Sequence, residues 1–353
     1  MESIKLLKPP DYTEEERHAL VDFVLALKKP SIQGLLRSRE IPTAGAKPEL
    51  RERLEEALAG GVITHEQLVE FLDSVAPWGK QHVFPYKGPR GDLGVWKNPD
   101  SVHRELKRHH LGRLFNARFP VILPEKLTLS SVTHTGGKLR VSAVQKKEYS
   151  ERASEHDKVT QDENGRRITL RAYLDYVSRT LVAFEWDLVA NTAMVQITQL
   201  KRDMLYEEMA QEFFALVAGW LDIGKFEQLD ISPAIDRLRE FEKKKDGRAE
   251  TRSHVIDYRS LRGYSLSAKS PSARYSVLGD DDIDTAMTGF AKKGVGHLGN
   301  FYWLPGVNGG RVPNPLNGEV HTFIVGSKRR INFPTANTEE VVRYVLHRVR
   351  ALS

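Results

Sequence analysis

Gly45, Lys47 and Pro48 stand within four positions, directly ahead of Leu50-x-x-Arg53-Leu54. Glycine permits a tight turn there, and proline suits a first helical turn because its missing N–H costs nothing. The free backbone N–H groups at such a helix start, beside the Lys47 amine, make a phosphate site. Arg37, Arg39 and Arg51 are placed to flank it as further backbone contacts. Residues 28–59 hold seven Lys/Arg against five Glu, which suits modest, salt-sensitive affinity for a polyanion. An ordinary helical hairpin would use the same residues as a cap and as i,i+4 ion pairs.

Two other basic groups invite the same two interpretations. Lys138, Arg140, Lys146 and Lys147 lie along a hairpin with no acid between 138 and 147. Such a strand can track a phosphate backbone, or it can be an edge kept soluble by its lysines. Lys328, Arg329 and Arg330 form the second group. His103, His109 and His110 share a basic helix with Arg104, Lys107, Arg108 and Arg113, and no carboxylate-rich pattern accompanies them to hold a metal. Asp280, Asp281, Asp282 and Asp284 open a helix, where the dipole favours acids. Glu185 and Asp187 share one strand face, as nuclease carboxylates would, yet the Glu-x-Lys of restriction-like nucleases is missing. The chain contains no Walker loop, Gly-x-Ser-x-Gly or His-Glu-x-x-His, and no cysteine at all. Thiol catalysis and cysteine-held zinc are excluded and no cofactor is expected; the rivals to a DNA-binding protein are a metal-dependent nuclease or other DNA-acting enzyme and a protein–protein adaptor. Phe301, Tyr302 and Trp303 could stack on bases, although a strand would turn Tyr302 away from its two neighbours, which then suit a core.

The elements that must carry these residues begin with helices. Thr13 with Glu16 is a capping box, and Leu20, Phe23, Val24 and Leu27 follow at helical spacing until Pro30. Short helices are expected near 31–38 and 47–59, and a fourth is capped by Thr64. Residues 78–100, rich in Gly, Pro and aromatics, read as an ordered connector. A basic helix (101–116), a hairpin turning at Gly136-Gly137, a polar loop (150–167) and three strands follow. Helices near 203–221 and from Pro233 to Lys243-Lys244-Lys245 come next, then strands, a capped helix at 280–293, more strands and a final helix from Thr338.

The expected fold class is multi-domain. An all-α N-terminal helical domain (1–77) and the connector (78–100) precede an α+β region with antiparallel sheet, divided at 101–247 and 248–353. Strands followed by a helix recur at about 125–222 and 251–352, which leaves a duplication open. The net charge of +6, from 53 Lys+Arg and 47 Asp+Glu, is mild for 353 residues. No stretch approaches the roughly 18–20 apolar residues of a membrane span. The early acidic turn argues against an export signal.

The run from 30 to 58 resembles the SAP domain. Ile32, Leu35 and Leu36 supply its first apolar face, Ile41 its buried loop position, Gly45 and Lys47 its Gly-x-Lys, and Leu50, Arg53 and Leu54 its second helix. Glu40 stands where the family has glycine. The resemblance implies a helix–loop–helix that contacts DNA, and double-stranded DNA as partner. The element order of the whole chain also resembles the kinetochore CENP-N family, without a diagnostic motif. The expected protein is anchored on DNA, with a C-terminal region for further DNA or a protein partner. It would be cytoplasmic and nucleoid-associated, or nuclear, and without a membrane role.

Overall fold

The computed structural model describes residues 5–91, 93–201, 205–244, 249–307 and 312–353. Near its start, a strand β1 (Lys5–Leu6) precedes four helices: α1 (Glu14–Ala26), α2 (Lys29–Arg37), α3 (Lys47–Ala59) and α4 (His65–Val75). Thr13 and Thr64 close capping boxes with Glu16 and Gln67, which fixes where α1 and α4 begin. Leu20 and Val24, Ile32 and Leu36, Leu50 and Leu54, and Leu68 are all fully buried and meet in one core. Ile122 and Leu123, from a later segment, complete that core.

The remaining strands are β2 (Gln81–Lys87), β3 (Ala117–Arg118), β4 (Thr128–Thr135), β5 (Lys138–Arg152), β6 (Lys158–Gln161), β7 (Arg167–Leu170), β8 (Tyr173–Asp187) and β9 (Thr192–Thr198). They continue as β10 (Glu227–Gln228), β11 (Thr251–Ser260), β12 (Ser265–Lys269), β13 (Gly294–Trp303), β14 (Val320–Val325) and β15 (Arg330–Phe333). Between them run α5 (Gly94–Lys97), α6 (Pro99–Arg108), α7 (Tyr206–Val217), α8 (Ser232–Lys243), α9 (Asp281–Ala291) and the terminal α10 (Glu339–Ala351). The expected start of α7 at 203–204, and Lys245 after α8, lie outside the described residues.

Thirteen of the described strands form one sheet in the order β1-β3-β4-β5-β8-β9-β2-β15-β14-β13-β11-β12, with β10 beside β2. The hairpin β6–β7 stands apart. This overturns the expected fold class of an all-α N-terminal domain followed by an antiparallel α+β region. Lys5 and Leu6 pair in parallel with Ala117 and Arg118, so the N-terminal stretch contributes a strand and the sheet is mixed. The presumed connector supplies β2, the strand through which the two halves become one sheet, since it pairs β9 on one side and β15 on the other. The second edge of β2 is divided: Gln81–Val83 meet β15, Tyr86 and Lys87 meet β10, and Pro85, which has no N–H to donate, falls in the gap.

The two faces of the sheet are covered differently. On one, Phe84, Val141, Phe184, Trp186 and Val195 pack under α6 and α7. On the other, in the C-terminal half, Val83, Phe301, Trp303, Ile331 and Phe333 pack under α8 and α10, with Met287 of α9.

Candidate nucleic-acid interface

The loop between α2 and α3 is held by side chains from both helices. Gln33 donates to the Thr43 carbonyl at 2.8 Å. Arg53 donates to the carbonyls of Pro42, at 3.1 Å, and Ala44. Ile41 is half-buried against the helical core, and its N–H returns to Leu36 O at 3.0 Å. Two residues in the loop take left-handed backbone: Glu40 with φ 59° and Gly45 with φ 112°. The Glu40 value explains why this position prefers glycine.

At the start of α3 the cap is Ala46, which has no side-chain acceptor to offer. The first backbone bond of the helix runs from Leu50 N to Ala46 O. The N–H groups of Lys47 and Glu49 therefore have no internal acceptor among the described residues. The Lys47 amine itself turns to the last turn of α1, donating to Leu25 O at 2.6 Å. That is the end of a helix at which a cation is stabilised. Arg51 is likewise engaged, by Asp22 and by Glu55 at 3.2 Å. Arg37 and Arg39 are exposed, and neither makes an ion pair or side-chain hydrogen bond with any described residue. The structure thus brings five of the sequence-chosen residues together on one module, two of them with unengaged charge.

The basic residues of the hairpin divide between the two faces of the sheet. Arg140 pairs with Glu185 at 3.0 Å, and Glu185 is also gripped by Arg343 at 2.6 and 2.9 Å. Both guanidiniums stand over the Trp78 ring. Burial alone would raise the Glu185 carboxyl, but the Arg343 hydrogen bonds and the charges of Arg140 and Arg343 hold it below the usual range. Lys138 is half-buried on the same face. Lys146 is engaged by Glu125 and Glu148, at 3.1 and 2.7 Å, and Lys147 faces Glu212 at 4.0 Å. Lys328 and Arg330 share Glu207, at 3.8 and 3.2 Å, whereas Arg329 is exposed on a left-handed turn residue with no ion pair among the described residues.

The acidic candidates have structural partners. Asp187 accepts from the N–H groups of Val189 and Ala190 in the β8–β9 turn. Asp280 caps α9 by accepting from Asp282 and Ile283. Among the described residues no group of three or more His, Asp or Glu is gathered for a metal. His103 stacks on Phe115, with ring centroids 4.8 Å apart.

Residues 25–59 match the SAP domain. The matched segment spans α2, the clamped loop and α3, about a tenth of the chain. The SAP domain is a nucleic-acid-binding module, so this chain carries such a module near its start. No curated protein matches the chain. The kinetochore-family resemblance, which rested on element order alone, finds no support in these comparisons. No described helix is long and apolar enough to cross a membrane.

Sequence reasoning missed Gln33, whose only signal is its place one turn before the loop it holds. It also missed Arg343 as the partner of Glu185, because 158 positions separate the two.

Proposed function

We propose that the chain binds duplex DNA through its SAP segment, and that the large sheet presents further surface for DNA or a protein partner. Arg37 and Arg39 act as mobile phosphate contacts, and the open N–H groups of Lys47 and Glu49 receive a phosphate at the start of α3. Gly45 leaves the space beside it to the Glu49 carboxylate, which swings aside for the phosphate, and Lys47 and Arg51 hold α3 against α1. The observation that carries this reading is the SAP match on a loop clamped by Gln33 and Arg53, with two unengaged arginines beside it. A chain anchored in this way works where DNA is, in a nucleoid or a nucleus, as a tether rather than a sequence reader.

The test is duplex binding by the full chain across a salt series, with and without Arg37→Ala and Arg39→Ala. Each lost phosphate contact lowers the slope of log affinity against log salt by about 0.9. The double variant is expected to bind several-fold more weakly and with the shallower slope. Unchanged affinity and slope would remove the SAP segment from the DNA interface. Lys47→Ala is a poorer probe, because its amine satisfies a carbonyl of α1.

A further inference from the structure

In the C-terminal half of the sheet, the described helices pack on one face. Helices α8, α9 and α10 build its core against Phe301, Trp303, Ile324 and Ile331. On the opposite face the strands alternate outward, and Tyr302, His321 and Phe323 stay part-exposed. Their register places Tyr302 opposite His321 and Asn300 opposite Phe323. The rings of Tyr302 and His321 stack with centroids 4.6 Å apart and planes 4° from parallel. His321 and Phe323 follow at 4.7 Å, and the Arg252 guanidinium stands 5.2 Å above Tyr302 at the other end. The result is one continuous row of guanidinium, phenol, imidazole and phenyl.

Polar groups accompany the row. Asn300 is bonded to the His321 ring at 2.6 Å. Asn332, paired across the strands with Phe323, has no side-chain partner among the described residues. Among the described residues, Arg252 pairs with Glu319 at one border of the row, Lys328 and Arg330 share Glu207 at the other, and Lys269 stands opposite Val255 on the outer strand. Lys269 and Arg329 have no ion pair among the described residues. Burial, and then the nearby His254, hold His321 below the ordinary imidazole range, so its ring stacks uncharged at neutral pH.

We propose that this face binds the unpaired bases of a single-stranded nucleic acid. Tyr302, His321 and Phe323 form a ready-made stack that a base extends at its Phe323 end, Asn332 beside that ring reaches a base edge, and the flanking cations follow the backbone. Charge decides for a nucleic acid over a protein here, since Lys269 and Arg329 border the rings with no ion pair among the described residues. Bases stack on such rings whatever their sequence, and a basic border retains the phosphates. The inference stands apart from the SAP reading, since it uses none of the same residues.

The experiment is fluorescence anisotropy of the full chain with labelled oligo(dT) and oligo(U) of about 15 nucleotides, within the span such surfaces cover. It is run on the unaltered chain, on Tyr302→Leu with Phe323→Leu, on Tyr302→Phe, and on Arg37→Ala with Arg39→Ala. The double leucine variant should bind single strands at least tenfold more weakly while duplex binding is unchanged. Tyr302→Phe keeps the π face and should retain single-strand binding, which separates lost stacking from lost folding. The arginine variant should do the reverse, losing duplex and keeping single strands. Tighter oligo(U) than oligo(dT) would mark RNA as the ligand, and the opposite order single-stranded DNA. If neither oligonucleotide binds the unaltered chain, or if the leucine variant binds as well as it does, the proposal is wrong.

Discussion

Asp73 of α4 and Arg179 of β8 form an ion pair at 2.7 Å in which both side chains are at least 95% buried. The same guanidinium donates to the carbonyls of Val121 and Ile122, each at 3.1 Å. Arg118 adds a bond to Glu70 O at 3.0 Å, and Tyr12 reaches Pro120 O at 2.6 Å. The four helices that carry the SAP segment are therefore fastened to the sheet by buried polar contacts as well as by Ile122 and Leu123. Removing one member of a buried pair leaves the other charge without compensation, a loss of about 3–5 kcal/mol. Asp73→Ala is expected to lower the urea midpoint by that measure, and a change under 1 kcal/mol would mean the pair carries little of the attachment.

Glu40 offers a change in the other direction. A residue with a Cβ pays about 1 kcal/mol or more to hold φ near +59°, and glycine does not. The Glu40 side chain makes no hydrogen bond or ion pair with a described residue that would offset this. Glu40→Gly is expected to stabilise the chain by about 0.5–1 kcal/mol in urea unfolding. Destabilisation would show that the carboxylate has a role in the loop beyond its backbone shape.

The capped helices and the SAP loop were legible because their signals are local, whereas the basic helix expected over 101–116 ends at Arg108 and leaves His109 and His110 in a turn. Thr13 with Glu16, Thr64 with its following turn, and Gly45 with Pro48 each settle a boundary within a few residues. The continuity of the sheet was not legible. In β2, Val83 and Phe84 are both buried on opposite faces, so no alternation marks the strand, and Pro85 argues against one. Two residues, Lys5 and Leu6, are too few to show any period. The polar stretch read as a loop at 150–167 holds the end of β5 and the start of β6–β7, a hairpin exposed along its whole length and so without a buried stripe to reveal it. For the sites, residue type was visible and engagement was not. Arg140 and Arg39 look alike in sequence, yet one is held by Glu185 and the other is unengaged.

His82 gives the chain a pH dependence of defined sign. Burial, and then the charge of Arg330, push its imidazole down from 6.5 to about 3, while its ring lies against that of Tyr206, centroids 3.7 Å apart and planes tilted by 32°. In the unfolded chain it takes up a proton as the pH falls through 6.5, and in the folded chain it does not. Its contribution is thus complete above about pH 6.5 and is lost as the pH falls toward 3, at about 1.4 kcal/mol per unit at most. Urea unfolding at pH 7.5 and 5.5 should show the unaltered chain losing about 1 kcal/mol more than His82→Gln. Equal losses would mean that the folded imidazole takes up its proton in the ordinary range.

Glu185 separates a structural acid from a catalytic one. Two guanidiniums share it, and both also stand over Trp78, so the cluster joins β5, β8 and α10 at the junction of the two sheet halves. Glu185→Ala strands Arg140 and leaves Arg343 with Glu339 alone, and a loss of about 3 kcal/mol is expected in urea unfolding. At temperatures where the variant remains folded, duplex binding should match that of the unaltered chain, because the SAP arginines are untouched. A metal-dependent nuclease built on this strand predicts another pattern: cleavage of duplex DNA with magnesium present, abolished by Glu185→Ala with stability nearly unchanged. With both oxygens of the carboxylate already engaged by Arg343, coordination of a cation would first require that pair to open, so the stability loss without cleavage is the expected result.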